Sequence, residues 1–412
     1  MRCLCLRSWT LQCLIALTLL SLSAAQITQQ QFEASFKLYP ATGPGGCDRD
    51  APNGTPMLSF VLQSLDDAWT MASTAISEMQ LYFSSYSGRR TRPLLFLFFG
   101  VKFTEDYNFE PDGTSENTYN YVLTVFQNMG KLQTAPNPDS FLQLPRFRCL
   151  EDYAAYYEHL PGDDGKENMT AELAAVHYDE KMTNGQYFPG LMFVFNPEGW
   201  YPPQETNPTG GGCGSIENQF ILQAFTLTGG DTATQPLYGI TLCPGIFENP
   251  TTKSLGTPAE DGGVDLLNKF SDSGGSTKRP LMKDIANRSY VCSKILHEMA
   301  HLVTQNTIDD QPAAYPPDGT NFDNRDWSQW VLNNNYVSYG YTQSVYLSLA
   351  KPNLAQLNAD NYLFLALCLT YEELDCVGTF QNDIKRRRSL PFQVSSRTIE
   401  KIRSGELDLN DM

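Results

Sequence analysis

The run Cys292-Ser293-Lys294-Ile295-Leu296-His297-Glu298-Met299-Ala300-His301-Leu302-Val303 reads as one amphipathic helix. His297 and His301 are four residues apart, so a helix stacks them on a single face. Two imidazoles at that spacing can bind one zinc ion. Glu298 lies one step round, where a carboxylate can take a proton from a metal-bound water. Ile295, Leu296, Met299, Leu302 and Val303 supply the apolar flank that buries such a helix. The chain has four histidines in 412 residues, and two of them fall in this pattern. That economy weighs against a surface helix carrying two histidines by chance.

The N-terminus predicts where the protein works. Arg2 and Arg7 precede the apolar run Cys13 to Leu20, and Ser23-Ala24-Ala25 offers small residues for cleavage before Gln26. This is the pattern of a secretory signal peptide, too short for a membrane span. The sequons at Asn53, Asn168 and Asn287 fit a secreted glycoprotein, whereas those at Asn207 and Asn249 are blocked by proline. Beyond residue 25 the cysteines are Cys47, Cys149, Cys213, Cys243, Cys292, Cys368 and Cys376. Their odd number allows at most three disulfides, with Cys368 and Cys376 close enough to bridge across a helix end. The absence of a CxxC pair among them speaks against a cysteine-based zinc site.

The net charge of −17 moves to about −19 once the signal is removed. So acidic a chain is expected to avoid nucleic acid and anionic membranes. The basic run Lys385-Arg386-Arg387-Arg388 reads as a processing site or a solvated turn. Helical periodicity runs from Pro56 to Tyr86, and further helices are expected over Asn117 to Gly130 and Asn168 to Tyr178. Pro93 to Phe99 is either a buried helix end or a strand. Gly190 to Phe195 and Tyr238 to Leu242 read as short strands. Thr206 to Gly214 and Asn249 to Pro280 read as loops, the second a candidate flap. Arg89-Arg90 marks a propeptide boundary or an exposed turn.

A catalytic zinc takes three protein ligands and keeps an open position. No histidine follows His301, which excludes a downstream-histidine site. A glutamate ligand would have to be Glu372 or Glu373, in a neighbourhood without further support. Aspartates are plentiful: Asp309, Asp310, Asp318, Asp323, Asp326 and Asp360. Elimination favours one of them.

Leu296-HEMAH-Leu302, then Tyr339-Gly340-Tyr341, then Asn358-Ala359-Asp360-Asn361-Tyr362 resembles the end of the fungal deuterolysin-type zinc endopeptidases, the aspzincins. Cys243-Pro244-Gly245-Ile246-Phe247 is similar to the family's Cys-Pro-x-x-Phe segment, and Cys149 and Cys213 could fill its other cysteine positions. The resemblance implies an α+β, mainly helical, zincin-like domain with a small sheet preceding the HExxH helix. It implies His297 and His301 as ligands of one zinc ion, Glu298 as general base, Tyr339 as oxyanion stabiliser and Asp360 as a residue shaping the substrate pocket. Read without the family, Asp360 is a helix-start carboxylate for backbone amides, and Tyr339 a buried aromatic before a turn glycine.

One departure matters. The family motif GTxDxxYG places its aspartate ligand three residues before the tyrosine, and that position is Tyr336 here. An insertion between the aspartate and the tyrosine would leave the ligand upstream. Asp310 is the preferred candidate, with Asp309 and Asp323 as alternatives. Lysine-specific members carry an acid three residues after the NAD aspartate; here that residue is Leu363.

The expected organisation is a signal peptide over 1–25, an N-terminal segment open to disorder over 26–55, a zincin-like metallopeptidase domain over 56–384, best supported over 236–380, and a basic site with a flexible tail over 385–412. The expected activity is that of a secreted zinc endopeptidase acting on proteins or peptides. The alternatives are a catalytically silent zinc-binding relative and a surface-interaction protein without metal.

Overall fold

The computed structural model describes residues 27–38, 45–51, 56–134, 144–150, 154–157, 191–195, 198–201, 224–227, 239–248, 291–305, 307–317 and 326–371, with positions 54, 213 and 376. The signal segment, the sequons, the expected helix over 168–178, the candidate flap, Asp323, Glu372, Glu373 and the basic run lie outside them.

Residues of the 26–55 segment, expected to be open to disorder, enter the core. Helix α1 (Gln29–Ser35) is started by a capping box in which Thr28 and Gln31 satisfy each other's amides. Phe32 within it and Phe36 just after it pack on Phe147, and β1 (Lys37–Leu38) follows. Helix α2 (Met57–Gln80) then buries Met57, Val61, Leu65, Ala68, Ala72, Ala75 and Met79, spaced by threes and fours as a single buried stripe requires. The apolar run Pro93 to Phe99 is the end of α3 (Gly88–Phe99). Gly100, at φ 67°, closes it and donates its amide to the Phe96 carbonyl at 2.8 Å. Arg89 and Arg90 belong to this helix and not to an exposed turn; Arg90 donates to the Cys368 carbonyl. Helix α4 (Ser115–Thr134) covers the expected second helix. Asp112 starts it by accepting the amides of Thr114 and Ser115, each at 2.9 Å.

The main sheet contains β1, β2 (Arg146–Cys149), β6 (Ala224–Leu227) and β7 (Gly239–Leu242) in the order β1-β2-β7-β6. Its first three strands are parallel, and β6 joins β7 antiparallel, pairing Thr226 with Ile240. A separate antiparallel sheet holds β3 (Ala154–Tyr157), β4 (Leu191–Phe195) and β5 (Glu198–Tyr201). The turn α5 (Gly245–Glu248) buries Ile246 and Phe247. Helix α6 (Val291–Thr304) carries the two histidines and packs against α2, α4, β6 and β7. The hairpin of β8 (Pro312–Tyr315) and β9 (Val331–Val337) follows, then α7 (Gly340–Ala350), α8 (Pro352–Ala355) and the almost wholly buried α9 (Ala359–Thr370), which packs on α6, α2 and α3. The architecture is thus mixed α+β, rich in helix, with small sheets.

Disulfides join Cys47 to Cys149, Cys213 to Cys243 and Cys368 to Cys376. The third bridges the end of α9, as expected. Cys292 lies in the first turn of α6. No described helix is long and apolar enough to cross a membrane. Disulfides and the lack of such a helix are compatible with secretion.

One core carboxylate imposes a pH dependence. Asp67 on α2 is buried, and burial pushes its pKa up to about 7; the Gln63 amide, donating at 3.1 Å, opposes this and the charge of Asp66 adds to it. A carboxyl raised in the fold contributes its full stability below its unfolded pKa of 3.8 and loses it as pH rises through about 7. Asp67→Asn should therefore melt higher than wild type at pH 8, by about 3 °C or more, and converge with it by pH 4. Thermal melts at the two pH values measure this directly.

Candidate metal centre

Helix α6 forms because its apolar positions must be buried together. Ile295, Leu296, Met299, Ala300 and Leu302 are fully enclosed, which leaves the opposite edge, His297, Glu298 and His301, at the rim of the core. Each histidine is oriented from behind. His297 Nδ1 meets Asp360 Oδ1 at 2.7 Å, and His301 Nδ1 meets the Ile308 carbonyl at 2.9 Å. Both partners are acceptors, so each Nδ1 carries a hydrogen, and each Nε2 offers a lone pair when its ring is neutral.

The chain turns back after α6. Gln305 takes a positive φ of 52°, and the Ile308 amide donates to Thr304 Oγ1 at 3.2 Å. Asp309 then forms a parallel bridge with Asn358, its amide donating to the Leu357 carbonyl at 2.9 Å. The Asp309 carboxylate accepts the Asp310 amide at 2.8 Å, so it serves its own backbone. Asp310 faces the histidines instead. Its Oδ1 is 3.2 Å from His297 Nε2 and 3.6 Å from His301 Nε2, and the two Nε2 atoms are 3.1 Å apart.

These separations test whether a metal fits. Two ligands at ~2.0–2.1 Å on a tetrahedral ion stand about 3.3 Å apart. The three observed distances bracket that value. Three lone pairs converging in a buried place repel unless a cation lies between them. Asp310 Oδ1 is itself buried, with no hydrogen bond of regular geometry. The group His297, His301 and Asp310 could therefore hold a metal ion.

Electrostatics agree. Burial opposes a charged His297, yet Asp310 and Asp360 outweigh it and hold its pKa well above the ordinary value. Burial likewise opposes an ionised Asp310, but His297, His301 and the Tyr339 hydroxyl draw its pKa below the usual carboxylate range. The pocket is built for positive charge, and a proton and a metal ion compete for it.

The remaining candidates fall close by. The Tyr339 hydroxyl donates to Asp310 Oδ2, and its ring centre is 6.0 Å from that of His297. Tyr339 is half exposed, not the buried aromatic its place before a glycine suggested. Desolvation where its hydroxyl meets Asp310, reinforced by the charges of Asp310, Glu298 and Asp360, still raises its pKa, so the phenol keeps its proton. Asp360 is buried behind His297 and also accepts the Gly340 amide at 2.5 Å. It holds His297 from behind and takes the first amide of α7, as a carboxylate serving backbone amides would. Gly340 has φ 81° with open space where a Cβ would be, so backbone conformation and not crowding calls for glycine. Tyr336 is exposed on β9 with its ring against Tyr315. The hairpin closes at its base: the Ser338 amide donates to the Gln311 carbonyl at 2.7 Å, and Ser338 Oγ to the Pro312 carbonyl at 3.0 Å. Asp310 and Tyr339 thus become neighbours although 28 residues intervene.

The sequence reading missed Thr226. Its hydroxyl lies 2.8 Å from Glu298 Oε2 and 3.0 Å from the Glu298 carbonyl. A lone threonine in a short strand carries no signal of that contact.

No protein-family model, curated protein or solved structure matches the chain. The chemistry of the site rests on its own geometry. Asp310→Ala should weaken zinc binding by about a hundredfold or more, Asp360→Asn by about 10- to 100-fold, and Asp309→Ala by less than about threefold. Competition with a chromogenic zinc chelator reads all three.

Proposed function

We propose that this chain is a secreted zinc-dependent endopeptidase with a zincin-like domain of the aspzincin kind. The observation that carries the reading is the convergence of His297 Nε2, His301 Nε2 and Asp310 Oδ1 to within 3.1–3.6 Å of one another, with Glu298 on the same helix beside them. Three protein ligands that leave a position open are the arrangement of a catalytic zinc site. Zinc is the ion favoured by two imidazoles and one carboxylate at this spacing. When bound, it would supply Lewis acidity to a water and to the scissile carbonyl.

The chain's own groups do the rest. Glu298 takes the proton of the attacking water and returns it to the leaving amine nitrogen. Its charge adds to the rise of the Tyr339 pKa. Tyr339, kept protonated, has a hydroxyl that can turn from Asp310 to the developing oxyanion. Asp360 and the Ile308 carbonyl hold the two imidazoles while the proton moves.

The silent zinc-binding alternative rests on Tyr336 standing where the family carries its aspartate. Asp310, brought beside Tyr339 by the closed base of the hairpin, offers the carboxylate that Tyr336 lacks, and this supports turnover. Leu363 is buried and apolar, which argues against a pocket built for lysine.

The test is cleavage of denatured casein by the purified secreted protein. Cleavage should vanish with a zinc chelator and return with zinc. Glu298→Ala should lose activity by about a thousandfold or more while retaining one zinc per chain. Normal cleavage by that variant would sink the mechanism. A wild-type protein that binds zinc and cleaves nothing would favour the silent binder.

A further inference from the structure

Glu298 is nearly enclosed, and a buried carboxylate needs a donor. Thr226 Oγ1 lies 2.8 Å from Glu298 Oε2 and 3.0 Å from its backbone oxygen. A hydroxyl has one proton to give, and in a regular helix the Glu298 carbonyl already takes the amide four residues on. The carboxylate oxygen is the acceptor in need. The geometry points to Thr226 as a positioning residue for the general base: its hydroxyl fixes Glu298 Oε2 and leaves Oε1 to meet the water proton. This inference rests on the peptidase reading above.

The placement of Thr226 is well determined by the fold. Phe225 is buried against the Cys213–Cys243 disulfide. Neighbouring residues of a strand face opposite sides, so seating Phe225 on the disulfide aims Thr226 at α6. Pairing of Thr226 with Ile240 on β7 holds the strand, and α6 packs directly on β6. A β-branched side chain on a paired strand has few rotamers to explore. The hydroxyl is therefore a rigid peg against a longer and more mobile carboxylate. A base held in one rotamer before the substrate arrives need not be ordered during the reaction.

The experiment compares Thr226→Val, which keeps the shape and removes the hydroxyl, with Thr226→Ser, which restores it. Thr226→Val should lower kcat by about 10- to 100-fold, with KM within about twofold and zinc content and melting temperature unchanged. Thr226→Ser should recover kcat to within about threefold. In a Glu298→Ala background, Thr226→Val should add no further loss, because Thr226 acts through that carboxylate. A Thr226→Val enzyme within twofold of wild type in kcat would overturn the inference alone. Loss of zinc or of melting temperature in step with activity, without rescue by serine, would also overturn it and show a merely structural residue. A wild-type chain that cleaves no substrate would overturn the peptidase reading, and this inference with it.

Discussion

A single buried carboxylate, that of Asp360, ties the site together. One of its oxygens meets His297 Nδ1 at 2.7 Å and the other takes the Gly340 amide at 2.5 Å. Three helices are thereby fixed to one another: α6 with the histidines, α9 that bears Asp360, and α7 that begins beside Tyr339. An enclosed charge without partners would cost several kcal/mol by the usual reckoning, of order 3–5 kcal/mol when one partner is removed. Satisfying it sets both the His297 ring and the start of α7. The left-handed Gly340 turns its N–H toward Asp360, and that turn puts Tyr339 over Asp310.

Around this hub the structure solves a problem of chain length. The stretch between His301 and Tyr339 is long, yet Asp310 and Tyr339 touch. The hairpin of β8 and β9 occupies that stretch and is closed at its base by Ser338. Its buried side is a small core of its own, where Trp327 and Trp330 pack with Tyr346. That core anchors the hairpin on α7.

Much of this was legible in the chain. The stripe on α2 and the histidine pair on α6 follow the helical period, and burial then orients the helix without further information. Gly100 resolves the ambiguity of Pro93 to Phe99, because its left-handed conformation ends a helix and an apolar run alone cannot tell helix from strand. Phe32 and Phe36 were not read as core, since two aromatics in a polar segment have no period to reveal them. The disulfide across the end of α9 could be read from an eight-residue separation, whereas Cys47–Cys149 and Cys213–Cys243 depend on the sheet.

The sequence by itself determined the helical face that presents His297, Glu298 and His301, because i, i+4 geometry is local. It also narrowed the third ligand to aspartate by leaving few other donors. Only the tertiary structure separated Asp310 from Asp309. Adjacent residues in an extended segment face opposite ways, and which one turns inward was decided by the bridge of Asp309 to Asn358, a contact made far along the chain. The contact of Asp360 with His297 and that of Thr226 with Glu298 arise for the same reason. Their roles come from pairings between distant segments, and no local pattern of residues encodes such pairings.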